Sequence, residues 1–265
     1  MKRTVIKTAS LMLAVLALSG LSACGKHEDK PAAGAAVKEY VVGTGATYAP
    51  FEYENENKEL VGFDIDVMKA LAAKEGMKVK FINTPFDGIF TALAQGDRDI
   101  IMSGLTITEK RKLTVDFSDP YFEAGQVIVV PLDSKIQKIT DLKPLTVGVL
   151  QGSTGDEMMQ KLSGDNNANI KRFESSPLAL KELETGGVSA VIADKGAVVH
   201  YLANNQVKGI RMVMDENFPK EFFGIAVKKG DAALLAKINQ GLAAIKADGT
   251  YDKLHAQYFD TAKSK

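Results

Sequence analysis

The feature that most constrains the fold of this sequence is an order of strands and helices that occurs twice. Between residues 40 and 102, short apolar segments alternate with segments of helical spacing, which predicts three strands and two helices. The same order recurs between residues 146 and 193. Strands that alternate with helices favour parallel sheets with helices on their faces. We therefore predict an α/β protein with two lobes of similar architecture.

Two apolar segments outside these repeats predict how the lobes are joined. The chain is expected to cross to the second lobe at residues 127–130 and to return at residues 224–227, within a single strand over residues 222–227. Two crossing strands form a hinge, and a cleft between two lobes is a common place for a ligand. The predicted boundaries are residues 38–128 and 226–265 for lobe 1 and residues 129–225 for lobe 2.

Polar residues at the starts of two predicted helices are candidate caps. Asp64 precedes the apolar positions of the first helix, and Thr108 precedes a short helix that carries Arg111. Side-chain oxygens of Asp and Thr commonly accept hydrogen bonds from the N–H groups of a first helical turn. We expect both residues to act in this way.

The N-terminus has the pattern of a secretion signal. Basic residues precede an apolar run from Ala9 to Leu18, which at about ten residues is too short to span a bilayer. The sequence LSAC at residues 21–24 resembles a bacterial lipobox, in which Cys24 becomes a lipidated N-terminus; ordinary cleavage after Ala23 is the alternative. We expect a signal peptide over residues 1–23, a flexible tether over 24–37, and a protein anchored by lipid outside the cytoplasmic membrane, in the periplasmic space or at the cell surface.

The composition excludes several classes of function. Lys and Arg together number 33 and so do Asp and Glu, so no charge excess favours a nucleic-acid partner. One Cys and three His residues argue against a disulfide scaffold or a Cys- or His-rich metal site. The GSTG sequence at residues 152–155 lacks the Lys of a phosphate-binding P-loop. We expect no cofactor, no metal, no nucleic acid and a monomeric protein.

Residues that follow the predicted strands are candidates for a ligand site, because ligands bind beyond the carboxyl ends of parallel strands. Arg111 offers a planar cation for a carboxylate, and Asp194 offers an acceptor for an ammonium group, which together describe an α-amino-acid site. Each has a structural alternative, since surface Arg residues are usually solvated and an Asp at a strand end often caps the next helix. The other candidates are Tyr48, Phe86, Ser103, Gly104, Thr106, Leu150 and Thr154.

Five ordered motifs resemble the polar amino-acid-binding proteins of bacterial ABC importers, and the resemblance runs over residues 40–259. It implies a two-lobed periplasmic-binding-protein fold, with a mostly parallel sheet and flanking helices in each lobe and two hinge strands between them. The motifs are VVGTGATYAPFEY (41–53), VGFDID (61–66), SGLTITEKR (103–111), DFSDPYF (116–122) and GVLQGSTG (148–155).

The resemblance also implies a role for each candidate. The arginine that matches Arg111 grips the ligand carboxylate, and the acid that matches Asp194 takes the α-ammonium group. The residues that bind the backbone groups of the ligand match Ser103, Gly104, Thr106 and Thr154. The aromatic rings that enclose its side chain match Tyr48 and Phe86. Leu150 matches an apolar residue of the basic-amino-acid binders.

One departure from the family pattern bears on the ligand. Glutamine-binding and lysine/arginine/ornithine-binding members carry an Asp where this sequence has Gly45, although Glu123 or Asp156 could replace that acid. A buried cation without a partner is costly, whereas a neutral amide loses less. This favours a neutral, glutamine-like ligand over arginine, lysine or histidine.

The sequence thus predicts a binding lipoprotein, not an enzyme, that captures a polar L-amino acid by hinge closure and delivers it to the permease of an ABC importer. Two alternatives use the same fold. One is an enzyme similar to cyclohexadienyl dehydratases, which needs a cleft acid that expels water from the substrate. The other is a ligand-dependent partner of a sensory receptor.

Overall fold

Two five-stranded sheets organise the computed structural model, which describes residues 38–260. The predicted signal peptide, Cys24 and the tether lie outside the described residues. No helix within residues 38–260 is long and apolar enough to cross a membrane. The strands are β1 (Glu39–Thr44), β2 (Thr47–Tyr48), β3 (Glu52–Glu54), β4 (Leu60–Val61), β5 (Lys78–Asn83), β6 (Ile100–Ile101), β7 (Val115–Phe117), β8 (Phe122–Ala124), β9 (Gln126–Pro131), β10 (Val147–Leu150), β11 (Ile170–Phe173), β12 (Ala190–Asp194), β13 (Ile210–Val213), β14 (Glu221–Phe223) and β15 (Ala226–Lys228).

Helices connect these strands and cover the sheets. A 3₁₀ turn over Phe86–Gly88 precedes the second helix, and a π-helical turn over Ala256–Asp260 follows the last one. The α-helices are α1 (Phe63–Lys74), α2 (Ile89–Gln95), α3 (Glu109–Lys112), α4 (Thr154–Ser163), α5 (Ser176–Glu184), α6 (Lys195–Asn204), α7 (Ala232–Ala247) and α8 (Thr250–His255).

The two sheets have the same plan. The first has the strand order β5-β1-β6-β15-β7, and the second has the order β11-β10-β12-β9-β13. The repeated strand–helix units supply the parallel pairs of β1 with β5 and β6, and of β10 with β11 and β12. In each sheet one strand, β15 or β9, is antiparallel to both of its neighbours. The predicted α/β class and the two lobes of similar architecture are confirmed.

The crossings between the lobes differ from the prediction. All of β9 pairs within the second sheet, so residues 126–128, which were predicted to end lobe 1, belong to lobe 2. The predicted return strand is broken, because β14 ends at Phe223 and β15 begins at Ala226. The segments between the sheets are β8 and β14, which pair with each other in antiparallel fashion. An apolar run shows that a strand is buried but not which sheet it joins, and this explains the shifted boundary.

The predicted cap of α1 by Asp64 is wrong. The helix begins after Gly62, whose φ is 130° and whose hypothetical Cβ would lie 2.2 Å from the carbonyl oxygen of Phe51, so glycine is required there. Asp64 is fully buried in the first turn, and its Oδ2 accepts hydrogen bonds from the N–H of Gly104 (2.8 Å) and the hydroxyl of Tyr121 (2.7 Å). The carboxylate therefore forms tertiary hydrogen bonds and does not cap the helix.

Each lobe has its own apolar core. In lobe 1, α1 and α7 pack against the sheet, and Gly241 allows a close approach to Leu71. In lobe 2, buried residues on both faces of β9, Val127 to Val130, separate two apolar clusters. Several elements have no counterpart in the sequence prediction: β7, β8, α6, β13 and the small antiparallel sheet β2-β3-β4.

Candidate functional site

A cavity of about 270 Å³ lies between the two lobes. Its walls follow the carboxyl ends of β1, β5 and β6 from lobe 1 and of β10, β11 and β12 from lobe 2, as expected for parallel strands. Ligand pockets commonly measure about 300–1,000 Å³, so this volume suits a small solute. All nine predicted site residues line the cavity: Tyr48, Phe86, Ser103, Gly104, Thr106, Arg111, Leu150, Thr154 and Asp194.

Arg111 is held in place by backbone carbonyl groups of both lobes. Thr108 caps α3, as predicted, by accepting a hydrogen bond from the N–H of Arg111 (3.1 Å). The guanidinium Nη1 donates to the carbonyl of Thr106 (2.7 Å), and Nη2 donates to that of Gly152 (3.1 Å). These bonds use two of its five N–H donors, and the group still lines the cavity. The residue is only 6% exposed, so the solvated-surface alternative does not apply.

Burial lowers the pKa of Arg111, but a guanidinium stays protonated in proteins. The guanidinium carbon Cζ of Arg111 lies 5.7 Å from the ring centroid of Phe86 and 5.4 Å from that of Phe90. The faces of aromatic rings favour a positive charge. Arg111 is therefore a fixed, desolvated cation on one wall of the cavity.

Asp194 provides a carboxylate on the opposite wall. It occupies the N-cap position of α6, yet its side chain makes no capping hydrogen bond. Oδ2 accepts a hydrogen bond from the hydroxyl of Tyr48 in lobe 1, and Oδ1 accepts one from Nε2 of Gln126 (2.9 Å). Burial raises the pKa of Asp194 to about 7. The helix-cap alternative is thus not realised, and the side chain faces the cavity.

The hydroxyls of Thr106 and Thr154 converge on Glu221, which the sequence analysis did not single out. Oε2 of Glu221 accepts hydrogen bonds from Oγ1 of Thr106 (3.2 Å), Oγ1 of Thr154 (3.0 Å) and Nε2 of Gln126 (3.2 Å). A hydroxyl that donates its proton to Glu221 offers only lone pairs to a ligand. The two threonine side chains are therefore acceptors toward the cavity, while the N–H of Thr154 lies in the first turn of α4.

Ser103 and Gly104 lie against two buried acids of lobe 1. Oγ of Ser103 donates to Oε1 of Glu52 (2.7 Å) and accepts from the N–H of Gly45 (3.0 Å). The N–H of Gly104 donates to Asp64. Glu52 also lines the cavity and was likewise missed, because an acid in a short strand usually points to solvent.

The aromatic and apolar candidates form the sides of the cavity. Tyr48 is 9% exposed and stacks on Phe51, with ring centroids 5.4 Å apart, so it is both a core residue and a wall. Phe86 and Leu150 are partly buried and line the cavity from opposite lobes.

The acids proposed to replace an Asp at Gly45 lie elsewhere. Glu123 does not line the cavity, and its exposed side chain lies 3.5 Å from the amine of Lys220. Asp156 is paired with Arg172 at 3.0 Å. Among the cavity-lining residues that the structure describes, the acids are Glu52, Glu174 and Asp194, and Arg111 is the single Lys or Arg residue.

Comparison with known proteins identifies the family. Residues 40–261 match "Bacterial extracellular solute-binding proteins, family 3". The chain belongs to this family. The resemblance that the motifs indicate is therefore confirmed.

Two curated proteins are similar to this family 3 solute-binding protein over most of their length. The "Probable histidine-binding protein" of Neisseria gonorrhoeae is 44% identical over 252 residues, which cover 95% of this chain and 94% of the relative. The "ABC transporter arginine-binding protein 1" of Escherichia coli is 36% identical over 221 residues, which cover 82% of this chain and 89% of the relative. Among solved structures, the arginine-, lysine-, histidine-binding protein ArtJ from Geobacillus stearothermophilus has a TM-score of 0.81 and 39% identity, with 84% of this chain and 96% of ArtJ covered.

The first prediction concerns Gly104. Its backbone has φ +49°, and a Cβ at this position would lie 2.6 Å from Cε1 of Tyr48. We expect Gly104→Ala to lower the free energy of unfolding by about 1–3 kcal/mol, the usual range for overpacking. Urea unfolding measures the change. Gly88→Ala is the control, since its φ is −99° and nothing lies within 4 Å of its hypothetical Cβ. Equal stability of the two variants would contradict this account.

Proposed function

We propose that this family 3 protein binds a basic L-amino acid between its lobes and delivers it to the permease of an ABC importer. The observation that carries the proposal is the placement of Arg111 and Asp194 on opposite walls of one small cavity. Arg111 pairs with the α-carboxylate through its planar fork, and the N–H of Thr154 adds a donor at the start of α4. Asp194 and the lone pairs of Thr106 accept the α-ammonium group.

The remaining charges favour a cationic side chain. Once Arg111 and Asp194 are paired with the backbone groups of the ligand, the exposed Glu174 is left in the cavity wall, and the buried carboxyl groups of Glu52 and Asp64 retain one negative charge between them. A basic ligand gains from this negative field, whereas a neutral amide does not. Names of the relatives support the same class, since they refer to histidine or arginine.

The preference for a glutamine-like ligand is not retained. It rested on the missing acid at Gly45, but a Cβ at that position would lie 3.7 Å from Oε1 of Glu52. A different strand thus supplies a carboxyl group at nearly the same place. Tyr48 and Phe86 provide aromatic surface on which a guanidinium or imidazole ring can stack.

A screen of the twenty amino acids by thermal unfolding, followed by calorimetry, tests the ligand class. A ligand at about 1,000 times its Kd stabilises the folded state by roughly 4 kcal/mol, which gives a large shift in Tm. We expect arginine, lysine or histidine to give the largest shift and glutamine a smaller one. A larger shift with glutamine, or none with any amino acid, would overturn the proposal.

The same cleft is proposed to bind and not to convert its ligand. Asp194 serves as an acceptor for the amino group of the ligand, so the reaction of a cyclohexadienyl dehydratase is not expected. Incubation with prephenate should yield no phenylpyruvate above the rate in buffer, and production of phenylpyruvate would favour the enzyme instead.

We further propose that the protein acts as a monomer tethered by lipid on Cys24. Acyl chains on this residue are the expected anchor, so Cys24→Ala should move the protein from the membrane fraction to the soluble fraction. Immunoblots of fractionated cells measure the distribution, and Cys24→Ala should leave arginine binding intact. A variant that still sediments with membranes would refute lipidation as the sole anchor.

A further inference from the structure

Glu52 and Asp64 form a pair of carboxyl groups beneath Ser103 and Gly104. Both side chains are fully buried, and their carboxyl groups lie close enough to interact. Ionised carboxylates are acceptors only, so two of them repel each other and neither can satisfy the other. A proton on one of the two groups turns this repulsion into a hydrogen bond.

The other hydrogen bonds of the pair lead to the same requirement. Oε1 of Glu52 and Oδ2 of Asp64 accept bonds from the 103–104 segment and Tyr121, as described above. Oε2 of Glu52 and Oδ1 of Asp64 are buried and receive no hydrogen bond from an N–H or O–H donor of residues 38–260. Leaving buried polar atoms unsatisfied is costly, and one proton within the pair satisfies both carboxyl groups.

We propose that Glu52 retains a proton at neutral pH and donates it to Asp64, and that this protonated pair is the positioning support of the ligand-binding residues Ser103 and Gly104. Asp64 accepts two hydrogen bonds from other residues and Glu52 accepts one, so the negative charge is better stabilised on Asp64. Consistent with this, burial raises the pKa of Asp64 to about 6, whereas burial and the charge of Asp64 raise the pKa of Glu52 well above its usual range.

The groups that face the pair do not favour a second negative charge. Tyr48 and Tyr121 interact with both carboxyl groups, Tyr251 interacts with Asp64, and Asp194 interacts with Glu52. All four are neutral or acidic side chains. Loss of the proton would place two buried like charges in contact, which is a strongly unfavourable arrangement.

The pair acts on the cavity through two consecutive residues. Glu52 orients the hydroxyl of Ser103, while Asp64 fixes the backbone N–H of Gly104. The shared proton links the two carboxyl groups, so the positions of Ser103 and Gly104 depend on each other. This consequence for binding rests on the proposed function, but the protonation itself does not.

Infrared spectroscopy of the protein without ligand tests the protonation. At about pH 8.5, which exceeds the pKa of Asp194 and of ordinary carboxyl groups, we expect wild type to retain the carbonyl band of a protonated carboxylic acid. Glu52→Gln should remove the band, and the control Glu174→Gln should keep it because that side chain is exposed. Absence of the band in wild type would overturn the proposal, as would its persistence in Glu52→Gln.

Calorimetry with L-arginine tests the positioning role. The amide introduced by Glu52→Gln can accept from Ser103 and donate an N–H to Asp64, as protonated Glu52 does, whereas the methyl group left by Glu52→Ala can do neither. We expect Glu52→Ala to bind about tenfold or more weakly than Glu52→Gln, a difference of about 1.4 kcal/mol. Equal affinities would refute the positioning role. If no amino acid binds any variant, the proposed function fails while the infrared result still decides the protonation.

Discussion

Replacing Arg111 by alanine is expected to remove most of the affinity for L-arginine. The side chain is the fixed cation of the cavity, and its loss would leave the ligand carboxylate buried and unpaired. Removal of one partner of a buried charge pair costs about 2–5 kcal/mol, which raises Kd roughly 30-fold to several thousand-fold. Arg111→Lys keeps the charge but lacks the fork, so its affinity should fall between those of wild type and Arg111→Ala.

Isothermal titration calorimetry measures this loss, with Lys112→Ala as the control. Lys112 belongs to the same short helix, but its side chain is about half exposed and pairs with Glu109. Arg111→Ala also loses the bonds to the carbonyls of Thr106 and Gly152, so its thermal unfolding without ligand should be recorded alongside. If Arg111→Ala binds arginine within about threefold of Lys112→Ala, equivalent to about 0.6 kcal/mol, Arg111 does not grip the carboxylate.

Replacing Asp194 by asparagine is expected to weaken binding by about ten- to 150-fold, a smaller loss than that expected for Arg111→Ala. The α-ammonium group would lose its carboxylate acceptor, and hydrogen bonds that involve a charged group contribute about 1.5–3 kcal/mol each. The amide oxygen introduced by Asp194→Asn can still accept from Tyr48, so the side chain keeps its main anchor across the cleft. Unchanged affinity would contradict the assignment of Asp194 to the ammonium group.

The pH profile of binding separates this charge effect from a change of shape. An ammonium group pairs with ionised Asp194, so below its pKa of about 7 binding must first release a proton from the carboxyl group. The affinity of wild type should therefore fall with decreasing pH, by up to about tenfold per pH unit below that pKa. Asp194→Asn lacks this proton, so the ratio of the two affinities should shrink from pH 8 to pH 5. A constant ratio would show that Asp194 does not titrate against the ligand.

Local sequence patterns predicted most of the fold. The apolar runs of β1, β5, β10 and β11 and the helical spacing of α1 and α5 are decided within a few residues, so their positions could be read directly. The sheet that β9 joins could not be predicted from local sequence, because its pairing with β12 and β13 depends on residues far along the chain. The same limit explains the single strand predicted over residues 222–227, which in fact contains the end of β14 and the start of β15.

The candidate site was likewise predicted only in part. Residues that follow parallel strands, such as Arg111 and Asp194, could be gathered at one edge by a topological rule. Glu52, Asp64 and Glu221 could not, because their burial depends on partners distant in sequence, such as Ser103 for Glu52 and Thr154 for Glu221. An isolated acid in a sequence is read as a surface residue or a helix cap, and only tertiary contacts reveal another role.

The antiparallel strand in each sheet has a consequence for how the chain folds as it is made. Lobe 2 is built from one continuous stretch, so its sheet is complete as soon as β13 has been synthesised. Lobe 1 is not, because Ala226 of β15 pairs with Ile101 of β6 across the whole of the intervening lobe. Until β15 arrives, β6 presents an open edge that invites pairing with other chains. The first lobe to be synthesised is therefore the last to be finished, and a nascent molecule must keep that edge unpaired until its return strand emerges.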